Sequence, residues 1–339
     1  MFKLCVVGCG GIANMAHLPA IEKYTILHPE VVLVACADID EARAYAIKEK
    51  FDIPRAYTSV SLMLAVEHPD AVICLVQEGE IAQVSCDIMR KGYPVMLEKP
   101  PGETLQEVRT IAEVAENSKV LHMVAFNRRF SPHLLRLKQQ IAGQEILSID
   151  YTMERINRTE DYFECTVIHA VDAVFSLAQC KAKTVEIQYQ EMPHLGDKVA
   201  NFFLYFTFDP GERQGATASR PFTATIRCYP TTGNMTERAT VYTSTGIWQA
   251  QLPLQGDLAA QDLGFVKQFT GQGECIETRG ERFTSLDHPT ANGFYGELAY
   301  FIDCVQSGTK PAHTANTCYQ SVLVCELMKH RIKKYLFEL

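Results

Sequence analysis

An α/β chain in two parts is predicted: a doubly wound parallel sheet at the N-terminus, then an α/β domain built on a large, open, mostly antiparallel sheet. Three observations carry this. The apolar strand Lys3 to Val7 runs straight into a glycine-rich turn and a helix. Strand and helix patterns then alternate with short connections as far as residue 125, as in a parallel sheet covered on both faces. Beyond that point, long strands joined by turn-rich connectors take over. The expected division is 1–124 and 125–339, and at 339 residues and 47% hydrophobic content both parts have material for a core.

Taken in order, the first strand ends in Gly8-Cys-Gly10-Gly11-Ile12-Ala13. A second buried strand, Val31 to Ala37, ends at Asp38. A helix is predicted over Glu41 to Lys50, a short one from Ser59 to Val66, a strand over Ala71 to Val76, a helix to Arg90 and a strand over Pro94 to Leu97. Thr104 opens the next helix with capping-box spacing to Glu107, and Leu105, Val108, Ile111, Ala112 and Ala115 form its apolar stripe. The strand Val120 to Ala125 closes this half. From Glu145 to Asn157 the residues alternate, with Leu147, Ile149, Tyr151 and Met153 expected on the covered face. A helix over Cys165 to Leu177 precedes strands at Thr184 to Gln190, Asn201 to Phe208, Phe222 to Tyr229 and Ala239 to Thr243, with connectors at Asp209-Pro-Gly-Glu and Thr232-Gly-Asn. Two helices, Tyr295 to Val305 and Thr317 to Lys334, end the chain, Tyr295 falling on a core stripe. Phe202, Phe206 and Phe208 suggest a sheet face covered by a second copy, hence a homodimer or homotetramer through the C-terminal sheet.

The glycine turn carries chemistry. In G-x-G-x-x-A, Gly8 makes the bend, Gly10 leaves room for phosphates beside Gly11 and Ile12, and Ala13 permits close helix packing, so a pyrophosphate can meet the helix N-terminus. Asp38 stands where a carboxylate takes the adenosine ribose hydroxyls and repels a 2′-phosphate, and the next cation is Arg43. The cofactor expected is therefore NAD, in preference to NADP.

Composition removes other classes. The net charge is −8 and no basic run appears, so no nucleic-acid partner is expected. No apolar stretch approaches a bilayer span and no leader pattern is present, so the expectation is a soluble, cytoplasmic protein with no membrane partner. The 12 cysteines are scattered through apolar runs with no C-x-x-C pair, as reduced core residues are.

The chain resembles the glucose–fructose oxidoreductase, inositol dehydrogenase and MocA family (Gfo/Idh/MocA). The resemblance rests on the Gly8 turn, Asp38, Gly92-Tyr-Pro-Val-Met-Leu-Glu98-Lys99-Pro100, Asn127-Arg-Arg-Phe130 and His169-Ala-Val-Asp172. It implies a Rossmann domain, a C-terminal domain with an open sheet, and hydride transfer between a nicotinamide and a small carbohydrate-like substrate: a sugar, cyclitol or related polyol. In that chemistry a cation stabilises the nascent alkoxide and a base takes the hydroxyl proton. Lys99 suits the first role and His169 the second; Asp172, three residues on, would orient the imidazole or touch substrate. Glu98 would hold the loop or contact the cofactor, and Cys165, Arg128 and Tyr162 are the expected substrate contacts, although Arg128 and Arg129 suit an interdomain ion pair equally well.

Two departures from the family pattern stand out. Dehydrogenases of the family often carry Asp where this chain has Cys165, and their T-P-N-x-x-H falls here on Val76-Gln77-Glu78-Gly79-Glu80-Ile81. Cys165, His169 and Asp172 share a helix face, yet no further Cys or His cluster accompanies them, so no metal is expected. Two alternatives to a net dehydrogenase stay open: a lyase or hydrolase that retains NAD and uses it transiently, and a cofactor-binding regulator without turnover.

Overall fold

Strands β1 (Phe2–Val7), β2 (Val31–Ala37), β3 (Arg55–Tyr57), β4 (Ala71–Cys74), β5 (Val95–Glu98) and β6 (His122–Ala125) pair in parallel in the order β3-β2-β1-β4-β5-β6. β4 and β5 are buried at every position, which is why their sequences are apolar up to Glu98 at the end of β5. The order reverses between β1 and β4, and the carboxyl ends of the strands beside that switch point form the edge where ligands bind in such sheets. The computed structural model describes residues 1–209, 211, 220–253, 264–271, 275–278 and 287–337; two of the four residues of the Asp209-Pro-Gly-Glu connector fall outside them.

The helices of this half start where the side chains dictate. A π-helical segment, Ala13–His17, leads into α1 (Leu18–Leu27). Asp40 caps α2 (Glu41–Lys50) and Ser59 caps α3 (Val60–Glu67) by accepting backbone N–H groups of the first turn. After α4 (Glu78–Arg90), Thr104 and Glu107 form the expected capping box on α5 (Leu105–Ser118).

The chain forms two compact units, Met1–Asn127 with Gly293–Val322, and Arg128–Asn292 with Leu323–Leu339. Against the expected 1–124 and 125–339 division, the first unit runs on through Asn127 and residues 293–322 return to it. There the helix Phe294–Ser307 packs on α1, with Phe294 against Ala16 and Ala20. Its apolar stripe shows that it is buried but carries no address for its partner.

Among the described residues of the second unit, nine strands form one sheet: β7 (Ile146–Glu154), β8 (Ala182–Glu191), β9 (Ala200–Phe208), β10 (Phe222–Tyr229), β11 (Glu237–Thr243), β12 (Gly246–Gln251), β13 (Phe265–Phe269), β14 (Cys275–Thr278) and β15 (Lys334–Leu336). Their order is β14-β13-β12-β11-β7-β10-β9-β8-β15, antiparallel except for the β7–β10 pair. Helices α6 (Pro132–Gln140) and α7 (Glu164–Ala178) belong to this unit. Phe206 and Phe208 lie 5.4 and 6.0 Å from the α7 residue Phe175, and Phe202 packs on Phe163. These three aromatics, expected to favour a dimer, therefore face the unit's own core; Phe203, Tyr205 and Thr207 occupy the other face.

Three further expectations change. Leu147 is exposed and Ile146 takes the buried position, because the β7–β11 register shifts at Tyr242/Thr243. The last helix is Tyr319–Lys329 and does not reach Lys334, which instead starts β15 against β8. Strands β12 to β14, with polar residues breaking their apolar runs, were not anticipated.

Candidate active site

Gly8 adopts φ +93°, and a Cβ there would lie 2.6 Å from Leu75 O and 2.9 Å from Val76 N, at the carboxyl end of β4. Only glycine fits this bend. Its N–H donates to Ala37 O at 2.8 Å, and Leu75 N–H donates to Val7 O at 2.7 Å, tying the turn to both neighbouring strands. A Cβ on Gly10 would meet nothing within 4 Å, and one on Gly11 only the Met15 methyl at 3.9 Å. The turn thus leaves open space beside Gly10 and Gly11 at the start of the helix carrying Ile12 and Ala13, which fits a pyrophosphate.

Asp38 follows β2 on the same edge. Its Oδ2 accepts the Cys9 N–H at 2.8 Å and its Oδ1 the Asp40 N–H at 2.8 Å, so the carboxylate also braces the glycine turn. Arg43 Nη2 lies 3.2 Å from Oδ1 and its Nε 3.3 Å from Asp40 Oδ2. The cation that the sequence placed beyond the ribose carboxylate is folded back against it.

Glu98 ends β5 and is 8% exposed. Its Oε2 accepts the Lys99 N–H at 2.8 Å, while Oε1 lies 2.7 Å from Nε2 of His17, itself buried. Burial would push the Glu98 carboxyl up, but the His17 hydrogen bond and charge, with Lys99, hold it below its ordinary value. Lys99 is half-buried and precedes buried Pro100. In α4, which connects β4 to β5, Ile81 is a core residue, so the position where the family pattern has a histidine packs here as hydrocarbon.

In the second unit, α7 carries Cys165, His169 and Asp172. Cys165 is half-buried and His169 is 8% exposed. Asp172 is fully buried, and both its oxygens accept from Arg129, at 2.7 and 2.6 Å. The carboxylate is thus engaged by Arg129 in a bidentate ion pair. Arg128 is likewise committed: it is buried, with Nη2 2.6 Å from Glu237 Oε1 inside this same unit. This corrects its assignment as a substrate contact and makes the pair intradomain. Tyr162 is exposed, with Lys198 and Lys329 ammoniums 5.5 and 5.9 Å from its ring centre.

The Glu237 cluster escaped the sequence reading. Glu237 also accepts from Tyr151 Oη at 2.6 Å and pairs with Arg155. Burial opposes its charge, but the two arginines hold it well below the carboxylate range. A signal was present: Arg155 continues the buried period of Tyr151 and Met153, and a cation on an apolar face demands a buried counter-charge.

Among the described residues no group of three or more His, Cys, Asp or Glu is placed to hold a metal ion, and no helix is long and apolar enough to cross a membrane.

Comparison with known proteins agrees with this geometry. Residues 2–126 match the oxidoreductase family with an NAD-binding Rossmann fold, GFO_IDH_MocA. The chain is 25% identical to YceM of Salmonella typhimurium over 322 residues, 91% of each protein. It is 30% identical to the D-xylose 1-dehydrogenase (NADP(+)) 2 of Haloferax volcanii over 139 residues, 41% of each. A dehydrogenase (MviM) from Clostridium difficile superposes with a TM-score of 0.80 at 18% identity, covering 98% of this chain and 99% of that one.

Proposed function

We propose that this chain, whose residues 2–126 match the NAD-binding Rossmann family GFO_IDH_MocA, is an NAD-dependent dehydrogenase acting on a secondary alcohol of a sugar, cyclitol or related polyol. One observation supports this most. The Gly8 turn after β1, Asp38 after β2 and Lys99 after β5 all stand at the carboxyl ends of strands of one parallel sheet, about its switch point. The D-xylose dehydrogenase relative favours a carbohydrate; its NADP leaves the choice of dinucleotide to Asp38, whose charge opposes a 2′-phosphate.

NAD, when bound, supplies a nicotinamide carbon that accepts hydride. The chain supplies the rest. Glu98 fixes the Lys99 backbone, and the Lys99 ammonium stabilises the alkoxide oxygen as its proton leaves. His169 is assigned, on the family resemblance, the role of general base, with Cys165 and Tyr162 as substrate contacts. A homodimer or homotetramer through the uncovered sheet face, which carries Tyr205 and Phe203, completes the reading.

The experiment is a panel of polyols, pentoses and hexoses assayed with NAD and NADP by nicotinamide absorbance. Lys99→Ala and His169→Ala should each lower turnover by roughly a hundredfold or more, with little change in melting temperature or NAD affinity for His169→Ala. Near-full turnover in either variant refutes that residue's role. Turnover with retained cofactor and no net absorbance change would instead establish transient redox chemistry.

A further inference from the structure

The bond between His17 and Glu98 joins two parts of the first unit that have different tasks. His17 ends the π-helical segment that directly follows the glycine turn. A π segment accommodates an extra residue in the turn, and here it brings His17 to 2% exposure instead of leaving a polar side chain in solvent. The imidazole is packed edge-on against Phe294 at 5.1 Å, an interplanar angle of 75°, and its Nε2 reaches Glu98 Oε1 at 2.7 Å. The other oxygen of the same carboxylate holds the Lys99 N–H. A continuous chain of contacts therefore runs from the helix that would receive the pyrophosphate, through one carboxylate, to the backbone that presents Lys99.

We propose that His17 is a positioning residue: it locks Glu98, and through Glu98 the Lys99 backbone, in register with the dinucleotide-binding helix. This rests on the assignment of Lys99 to the chemistry. Stability alone gives little reason for the pair, since a buried ion pair is often no better than apolar residues of similar volume. Apolar alternatives are at hand, because Ala16, Ala20 and Phe294 already cluster around this helix. What an apolar pair would lose is the directed bond from Glu98 to the Lys99 N–H. Such positioning matters steeply, because a misplacement of about 1 Å costs roughly a hundredfold in rate.

The test compares His17→Leu, His17→Gln, Glu98→Gln, the double variant His17→Leu/Glu98→Gln and Lys99→Ala. Measurements are NAD affinity by calorimetry, kcat and KM on the most active alcohol of the panel, melting temperature, and acetylation of Lys99 by acetic anhydride, read by peptide mass spectrometry with and without NAD. The double variant is included because His17→Leu alone leaves a buried carboxylate without its partner. The expected result is a kcat lowered about 10- to 100-fold in His17→Leu and in the double variant, with NAD affinity within about threefold. Lys99 acetylation should rise in both. His17→Gln, whose amide can donate to the same oxygen, should restore most of the turnover.

The proposal is overturned if folded His17→Leu or the double variant keeps wild-type kcat and Lys99 acetylation. It is overturned equally if the losses follow melting temperature and NAD affinity and His17→Gln rescues nothing. If Lys99→Ala keeps full turnover while acetylation still rises in His17→Leu, the assignment of Lys99 to the chemistry fails and the His17–Lys99 link stands.

Discussion

Replacing Gly8 and Gly10 in turn by alanine separates the fold of the turn from its task. At Gly8 two penalties combine. The positive φ costs an L-residue about 1–2 kcal/mol. The new methyl would sit 2.6 Å from Leu75 O and 2.7 Å from its carbonyl carbon, far inside the roughly 3.5–4.0 Å of an ordinary contact. Neither atom can turn away, because Leu75 is backbone and its N–H is bonded to Val7 O at 2.7 Å. Relief requires shifting the end of the β1–β4 ladder, at an overpacking cost of about 1–3 kcal/mol. The sum, about 2–5 kcal/mol, is a large share of the 5–15 kcal/mol typical of a folded domain and should lower the melting temperature by roughly 5–15 °C. At Gly10 neither penalty applies: its φ is not positive and no atom lies within 4 Å of the added Cβ. Gly10→Ala should leave stability unchanged or slightly raised, yet weaken NAD by about tenfold or more, because the methyl fills the space reserved for phosphates. Scanning calorimetry and NAD titration of both variants are the assay. A Gly10→Ala protein that binds NAD like the parent, or a Gly8→Ala protein of unchanged stability, would refute this assignment of the two glycines.

Three other outcomes are expected. Asp38→Ser combined with Ile39→Arg should move the ratio of catalytic efficiencies toward NADP, since it removes a carboxylate, frees Arg43 from its 3.2 Å pairing and adds a second cation; an unchanged ratio means that Asp38 does not face the ribose. His122 accepts the Ala315 N–H on Nε2, and burial, aided by Lys310, lowers its pKa to about 4. The folded state therefore binds fewer protons than the unfolded one. About 3 kcal/mol of stability, complete above about pH 6.5, should be lost as pH falls toward 4, and urea unfolding of His122→Gln should show a flatter profile there. Cys165→Asp should shift preference toward ordinary polyols while Cys165→Ala keeps the native one, because a thiol accepts a substrate hydroxyl poorly; loss of all turnover in Cys165→Ala with binding intact would reinstate a catalytic thiol.

The first sheet was legible because its determinants are local. Unbroken apolar runs, side-chain caps one residue before α2, α3 and α5 and a glycine that no other residue can replace all leave marks within a few positions. The placement of Asp38 and Lys99 at the sheet edge was legible for the same reason: each follows immediately after a strand with a buried carboxyl end. What the sequence hid depends on long-range register. Phe202, Phe206 and Phe208 show by alternation that they share a face, but which face carries α7 is decided by strand order and crossover, and no single strand contains that information. The shift at Tyr242/Thr243, which exchanges Leu147 for Ile146 in the core, has its cause in pairing with a strand some ninety residues away, about the separation at which pattern reading has nothing to hold.

The arginines show how burial assigns partners that motifs leave open. Arg128 and Arg129 are neighbours in one short 3-10 turn, Asn127–Phe130, and as a dipeptide they suggest a shared anion site. In the fold they diverge, Arg128 to Glu237 and Arg129 to Asp172, and both carboxylates are more than nine-tenths buried. A substrate anion competing for Arg129 would take from buried Asp172 the guanidinium that holds both its oxygens, at about 3–5 kcal/mol, which a single new ion pair in a partly wet site does not recover, and one competing for Arg128 would leave Glu237 to Arg155 and Tyr151 alone. These two cations therefore stabilise the second unit and are spent before substrate arrives. Under the proposed reading of Tyr162 as a substrate contact, discrimination for charge falls to groups that solvent already reaches, Lys198 and Lys329 near its ring among them, while a neutral polyol asks nothing of the buried pairs.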